Sequence, residues 1–270
     1  MKKKFKTILI LVAIQLTVSV YGYCIKIATP IFPIYDIVTQ IAGVNSDIIY
    51  IIKPGENPHH FEPTIETAKK LYNTDIYFGI DKRFDGWIIK FMQNNKIIFL
   101  NDFIKSDNPH IWLSFKNISI ISDIIVNSLC NLNKSKCNIY KTNSNKLKNR
   151  LLSLKNKFNF QNINVIECHP AWTKLLNEIN INSIGYIKKG SKHEPSIKSL
   201  STLLKNAKKK HVRFIICSTN DKSKINATVA NILNAKKILL EPIGGYPPYN
   251  SIISLYNINL QKLYKSVYGK

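Results

Sequence analysis

The sequence predicts an α/β fold of two halves, each built on a mostly parallel sheet, joined by one long helix. Three observations carry this. Short apolar runs are continuous and not alternating, which suits parallel strands buried on both faces. These runs alternate with segments of helical periodicity. The alternation stops at a long amphipathic stretch near the middle and then restarts. A chain of 270 residues with 45% apolar and 10% aromatic residues can bury substantial cores. That composition excludes a disordered protein, and 10 Gly with 11 Pro exclude a collagen-like one.

In chain order, the first segment reads as a targeting sequence. Lys2, Lys3, Lys4 and Lys6 precede an uncharged apolar run from Ile8 to Val20, and Val20-Tyr21-Gly22 fits a signal-peptidase site. Residues 1–22 are therefore expected to be a secretory signal, directing the protein to the periplasm. The run is short for a membrane span, and no later run reaches the length a transmembrane helix requires. Lipid attachment at Cys24 is the competing reading, and Tyr23 is a poor fit to the small residue that processing wants.

The expected first half, residues 23–132, starts with a strand at Ile25–Ala28 and a helix through Tyr35–Ala42. A strand at Ile48–Ile52 ends at Pro54-Gly55, and Thr64–Tyr72 has helical character. Strands at Asp75–Ile80 and Lys96–Leu100 flank a helix near Trp87–Met92. Ile118, Ile121, Ile125 and Leu129 then recur at helical spacing. Tyr140, Leu147, Leu151, Leu154 and Phe158 line one face of the connecting helix, placed within residues 133–159. The second half, residues 160–270, offers strands at Asn164–Glu167, Ile184–Ile187, Val212–Ile216 and Lys237–Leu240. One helix starts at Pro195-Ser196, and a last helix carries Ile253, Tyr256, Leu260, Leu263 and Val267 on one side. Two α/β halves place a ligand site in the crevice between them.

The formal charge of +23 raises nucleic acid as a partner. Lys is spread along the whole chain, and the stretches Lys146–Lys157 and Lys205–Arg213 are interrupted by Leu or Ala at helical spacing. Solvated helix faces account for them, so no nucleic-acid partner is expected. Five cysteines occur without a C-x-x-C pair. Cys130 and Cys137 could close a small loop. Cys168 and Cys217 end the runs NVIEC and RFIIC, and would pair if those runs were neighbouring strands; two small buried residues are the alternative.

The candidate chemistry is in the histidines. Of six, His59, His110 and His169 each adjoin a proline just after a strand or turn. Open α/β sheets bind ligands beyond the carboxyl ends of their strands. Glu241 ends the run KKILLE in a corresponding place. Three imidazoles and one carboxylate suit zinc, at roughly 2.0–2.2 Å from each donor atom. His193 and His211, in Lys-rich surroundings, read as surface residues, and His60 is expected to point away from His59. Glu62 reads as organising the following helix start. Trp112 reads as packing.

The words around these residues carry a resemblance. Lys53-Pro-Gly-Glu-Asn-Pro-His-His-Phe-Glu-Pro-Thr64 and Asp107-Asn-Pro-His-Ile-Trp-Leu113 are similar to two histidine motifs of the solute-binding proteins of zinc and manganese ABC importers. Cys168-His-Pro-Ala-Trp172, Ile238-Leu-Leu-Glu-Pro242, Glu194-Pro-Ser196 and the segment Pro30–Gly43 match further words of that family. The resemblance runs from about residue 25 to the last helix. It implies two Rossmann-like lobes joined by one long helix, with the metal in the cleft between them. It implies His59, His110, His169 and Glu241 as ligands, with Glu standing where Asp is usual. Asn108 and Ser114 replace acidic residues around the second histidine, which implies weaker outer support there. Ser218 stands where many members carry Glu.

A third imidazole favours zinc over the harder manganese, with manganese or ferrous iron as runner-up. The family implies a monomeric carrier that serves a membrane permease with its ATPase, and no catalysis. Two other classes compete: an exported zinc hydrolase, with Glu62 or Glu167 as its only candidate bases, and an adhesin on the same scaffold. No H-E-x-x-H motif supports the hydrolase.

Overall fold

The computed structural model describes residues 24–43, 46–189 and 195–269. The expected signal (residues 1–22), His193, Glu194 and the side chain of His59 lie outside the described residues.

Among the described residues, eight strands form two four-stranded sheets. The first comprises β1 (Lys26–Thr29), β2 (Asp47–Tyr50), β3 (Ile76–Gly79) and β4 (Ile97–Phe99) in the order β2-β1-β3-β4. The second comprises β5 (Ile163–Glu167), β6 (Ile181–Tyr186), β7 (Phe214–Ser218) and β8 (Lys236–Leu240) in the order β6-β5-β7-β8. All the pairings are parallel, so the two sheets repeat one topology. In each, the crossovers diverge beside the first strand, and this creates a crevice at the carboxyl ends. The continuous apolar runs are explained by burial: every residue of β3 is covered, and β7 is covered up to Cys217. This is an α/β protein of two Rossmann-like lobes.

Between the sheets stand two long helices, Phe115–Leu132 and Cys137–Lys157. The first buries Ile118, Ile121, Ile125 and Leu129, and the second buries Tyr140, Leu147, Leu151 and Leu154. Each set repeats at three to four residues, the signature of one buried stripe. The 3-10 turn Lys134–Lys136 joins the two helices, and a Cys130–Cys137 disulfide with Cα atoms 4.6 Å apart closes it. At 1.5 Å per residue, the second helix runs about 30 Å. The lysines of these helices and of Ile197–Lys209 lie mainly on exposed faces.

Two local expectations need correction. The segment near Trp87 is a 3-10 helix, Gly86–Lys90, and not an α-helix. The start of helix Ile65–Leu71 is organised by Thr64, whose hydroxyl accepts from Thr67 N, while Glu62 is exposed. The Cys168–Cys217 pairing, which the sequence leaves open, is made, because β5 and β7 are neighbours.

One hydrophobic core reaches through both halves, from Ile27 and Phe78 through Trp112 and Leu151 to Val165 and Leu255. The last helix, Ile252–Tyr268, follows the second sheet but docks back on the first lobe. Its Ile252 N–H donates to Asp36 Oδ2 (2.7 Å), and Tyr256 Oη donates to the Trp112 carbonyl (2.7 Å). Glu178 takes hydrogen bonds from Ser114 Oγ (2.5 Å) and Phe115 N–H (2.7 Å), again across the lobes. The lobes are therefore tied by a shared core and by buried polar contacts. That favours small adjustments at the cleft over wide opening.

Candidate metal centre

His110 and His169 come from opposite lobes and meet. Their ring centroids are 5.0 Å apart with planes at 74°. His110 is 7% exposed. It follows β4 by way of a loop whose shape is set by Asn101 and Ser106. Asn101 donates to the Ser106 carbonyl (2.7 Å) and accepts from Ser106 N–H (2.9 Å).

Asn108 then does the work at the histidine. Its Oδ1 accepts from His110 N–H (3.0 Å) and lies 2.7 Å from His110 Nδ1, while its amide donates to the Pro170 carbonyl in the other lobe. With Nδ1 protonated and donating to Asn108, Nε2 carries the lone pair for a metal. The weak outer support implied by losing an acid at this position is not what the structure has: the amide orients the ring and also bridges the lobes. Ser114 serves instead as a helix cap, accepting from Asn117 N–H (3.1 Å). Trp112 is buried at 1% exposure, packs edge-on to Phe84, and donates from Nε1 to the Pro242 carbonyl (2.7 Å).

His169 stands two residues after β5, beside the exit of β7. Glu167, wholly buried, accepts from Trp172 N–H (2.8 Å), Thr173 Oγ1 (2.6 Å) and Ser183 Oγ (2.6 Å), and so fixes the turn that carries His169. Burial pushes the Glu167 carboxyl up despite these donors. The same cause lowers the His169 imidazole, against a hydrogen bond with the Lys188 backbone that raises it. His169 is thus kept neutral, the form a metal requires.

Glu241 follows β8 and precedes Pro242, whose carbonyl is held by Trp112. That bond brings the end of β8 to the His110 loop. Its carboxylate accepts four hydrogen bonds. Oε1 takes Ile243 N–H (3.1 Å) and Gly244 N–H (3.0 Å), and Oε2 takes Thr219 Oγ1 (2.5 Å) and Tyr246 Oη (2.7 Å). Burial raises this carboxyl, but the four donors outweigh it and hold the group below its usual range. Gly244 needs its freedom here: φ is 74°, and a Cβ would meet the Tyr249 carbonyl at 2.8 Å. A cation at Oε2 would have to displace a hydroxyl. Neither Thr219 nor Tyr246 was singled out by sequence, since no periodicity marks a hydroxyl that reaches across loops.

The backbone of His59 lies in the 3-10 turn Pro58–His60, after the Pro54-Gly55 turn. His60 is exposed, as is His211. Among the described residues, the three ligand atoms that lie within 4.8 Å of one another are those of Cys168, Cys217 and Asp221; His110, His169 and Glu241 are more widely spread. No described helix is long and apolar enough to cross a membrane.

Comparisons with known proteins agree with this architecture. The family model for the periplasmic zinc-uptake complex component A (ZnuA) matches residues 27–266. The zinc-binding protein AdcA of Streptococcus pyogenes serotype M1 is 23% identical over 262 residues, covering 82% of this chain and 51% of AdcA. The chain thus spans about half the length of that relative. Among solved structures, a mutant of the laminin-binding adhesin Lmb of Streptococcus agalactiae superposes with a TM-score of 0.79 at 19% identity, covering 89% of this chain and 98% of that one. FpvC of Pseudomonas aeruginosa, in complex with Mn2+, does so with a TM-score of 0.78 at 21% identity, covering 91% and 98%. These structural likenesses establish the fold. With nearly all of the described chain matched, the protein belongs to the periplasmic zinc-uptake component A family, the metal-binding solute-binding proteins of ABC importers.

Proposed function

We propose that this protein captures Zn2+ outside the cytoplasm and delivers it to the permease of an ABC importer driven by its ATPase. The ligand set is His59, His110, His169 and Glu241. The lobes are residues 23–132 and 160–270, joined through residues 133–159. The observation that supports this most is the pair of histidine rings from opposite lobes, 5.0 Å apart, one oriented by Asn108 and the other kept neutral by burial. A cation between them would tie the lobes at the cleft, and its loss would release that tie. Capture rests on chelation, since a strongly basic chain does not draw cations from a distance.

Imidazole-rich coordination favours zinc over manganese. Manganese remains the second reading, because the structural neighbour FpvC was solved with Mn2+. A carrier is favoured over a hydrolase by the two candidate bases. Glu62 is exposed at a helix start, and Glu167 is wholly buried with its oxygens engaged. Competition titration of the metal-free protein with zinc and manganese tests the assignment. Zinc should bind more tightly, one ion per chain; tighter manganese binding would overturn it.

A further inference from the structure

A second donor cluster stands at the top of the second sheet. Cys168 directly follows β5, and Cys217 is the next-to-last residue of β7. These strands are central neighbours in the order β6-β5-β7-β8, where the crossovers diverge. Open parallel sheets take ligands at that switch point. The two sulfurs and a carboxylate oxygen of Asp221 lie within 4.8 Å of one another, with Cys168 Sγ 4.0 Å from Asp221 Oδ2. Both cysteines are buried, at 5% and 1% exposure, and in the present state they form a disulfide with Cα atoms 4.9 Å apart.

Asp221 is held in place for this position. Its Oδ1 accepts from Asn226 Nδ2 (2.9 Å) and Ser223 N–H (3.2 Å). Its Oδ2, the oxygen facing the sulfur, pairs with Lys237 Nζ at 2.9 Å. That oxygen therefore already holds a cation, in the form of a tethered ammonium. A cavity of about 420 Å³ opens over the cluster, lined by Cys168, Asp221, Ser218, Asn220 and Lys188 and, on the side of the histidine cleft, by His169. Zn–S bonds of about 2.3 Å and Zn–O bonds of about 2.0–2.2 Å set ligand atoms roughly 3.5–3.8 Å apart in a tetrahedron. Two thiolates on adjacent strands and Asp221 Oδ2 can meet that spacing once the sulfurs are no longer bonded.

We propose that Cys168, Cys217 and Asp221 form a second, redox-gated site for a soft or borderline divalent cation. The site is closed as the disulfide and opened by a dithiol. Exchange with the dithiol breaks the S–S bond and forms two cysteine thiols, while the dithiol gives up two electrons and becomes a disulfide. Cation binding then releases two thiol protons to solvent and displaces Lys237 from Asp221. Water from the cavity completes the coordination. The site adjoins the histidine cleft, since His169 lines the same cavity, but its two sulfurs are buried in a cluster of their own under the covering helices with Ala207 and Val229.

Cobalt(II) is the probe, added to the full chain before and after anaerobic reduction with a phosphine. Reduction should raise the bound cobalt from one equivalent to two and introduce thiolate-to-cobalt charge-transfer absorption. The double variant Cys168→Ala/Cys217→Ala, which keeps Cys24, Cys130 and Cys137, should lose both changes. Asp221→Asn should weaken the second equivalent, and Lys237→Met should tighten it. His110→Ala should lose the first equivalent and keep the second, which separates this site from the histidine cleft. Reduced protein that binds no second cobalt would overturn the proposal. So would charge-transfer absorption that survives in the double variant.

Discussion

His110 and His169 are held by two different devices, each acting from two residues upstream. On the first lobe, Asn108 touches the histidine itself, ring and backbone. On the second, Glu167 touches the turn beyond the histidine and stabilises the path of the chain. One device fixes a ring and its tautomer; the other fixes a backbone. The difference implies that the two supports fail differently. Loss of Asn108 should cost metal affinity with little stability, whereas loss of Glu167 should cost stability first.

The largest effects come from the rings. His110→Ala and His169→Ala should each lower zinc affinity by more than the roughly 100-fold that losing an outer partner costs. Calorimetric titration checks this, and two mild effects would dissolve the comparison. Next, Asn108→Ala should lower affinity by about 10- to 100-fold. Its denaturation midpoint should stay close to that of the parent. Glu167→Gln should instead cost about 1–3 kcal/mol of stability, because three donors converge on a carboxylate that an amide cannot fully replace. Denaturant unfolding of the two metal-free variants, side by side, separates the two devices.

Proton competition sharpens the same contrast. Burial lowers the His169 imidazole, so the neutral donor persists below the ordinary histidine range near 6.5. Zinc affinity should hold from pH 8 to about 6.5 and fall below that as imidazoles protonate. Competition titration across this range would count against histidine ligation if affinity stayed flat to pH 5.

Asp85 offers a pH effect on stability away from the cleft. It accepts from Ile80 N–H, Asp81 N–H and Tyr77 Oη, yet burial pushes its carboxyl up to about 7. Its folded value is above its unfolded one, so the protonated form favours the fold. Its contribution is fully present below about pH 4 and is lost as pH rises towards 7. Asp85→Asn should flatten that decline in urea midpoints measured between pH 4 and 7. The smallest effect concerns Tyr246. Tyr246→Phe removes one donor from Glu241 Oε2, and zinc affinity should rise by about two- to tenfold.

Much of the scaffold was legible because it rests on periodicity. Continuous apolar runs marked all eight strands to within a few residues, and stripes such as Ile118–Leu129 and Leu147–Leu154 marked the two long helices. Both disulfides were open options that strand adjacency and a short loop resolved. What was not legible depends on side chains meeting across loops. Asn108 read as a weakened support and is instead the group that orients His110. Glu62 read as the helix organiser, but a threonine pair does that work. Glu178, Thr219 and Tyr246 carry no pattern of their own. Their roles arise only when β8, the last helix and the His110 loop are folded together.

Anomalous diffraction at the zinc edge, on crystals of the zinc-loaded protein, tests the central claim most directly. A single strong peak between the His110 and His169 rings, with Glu241 and His59 among its neighbours, is the expected result. A peak bound to one lobe alone, with the two rings unligated, would contradict the account.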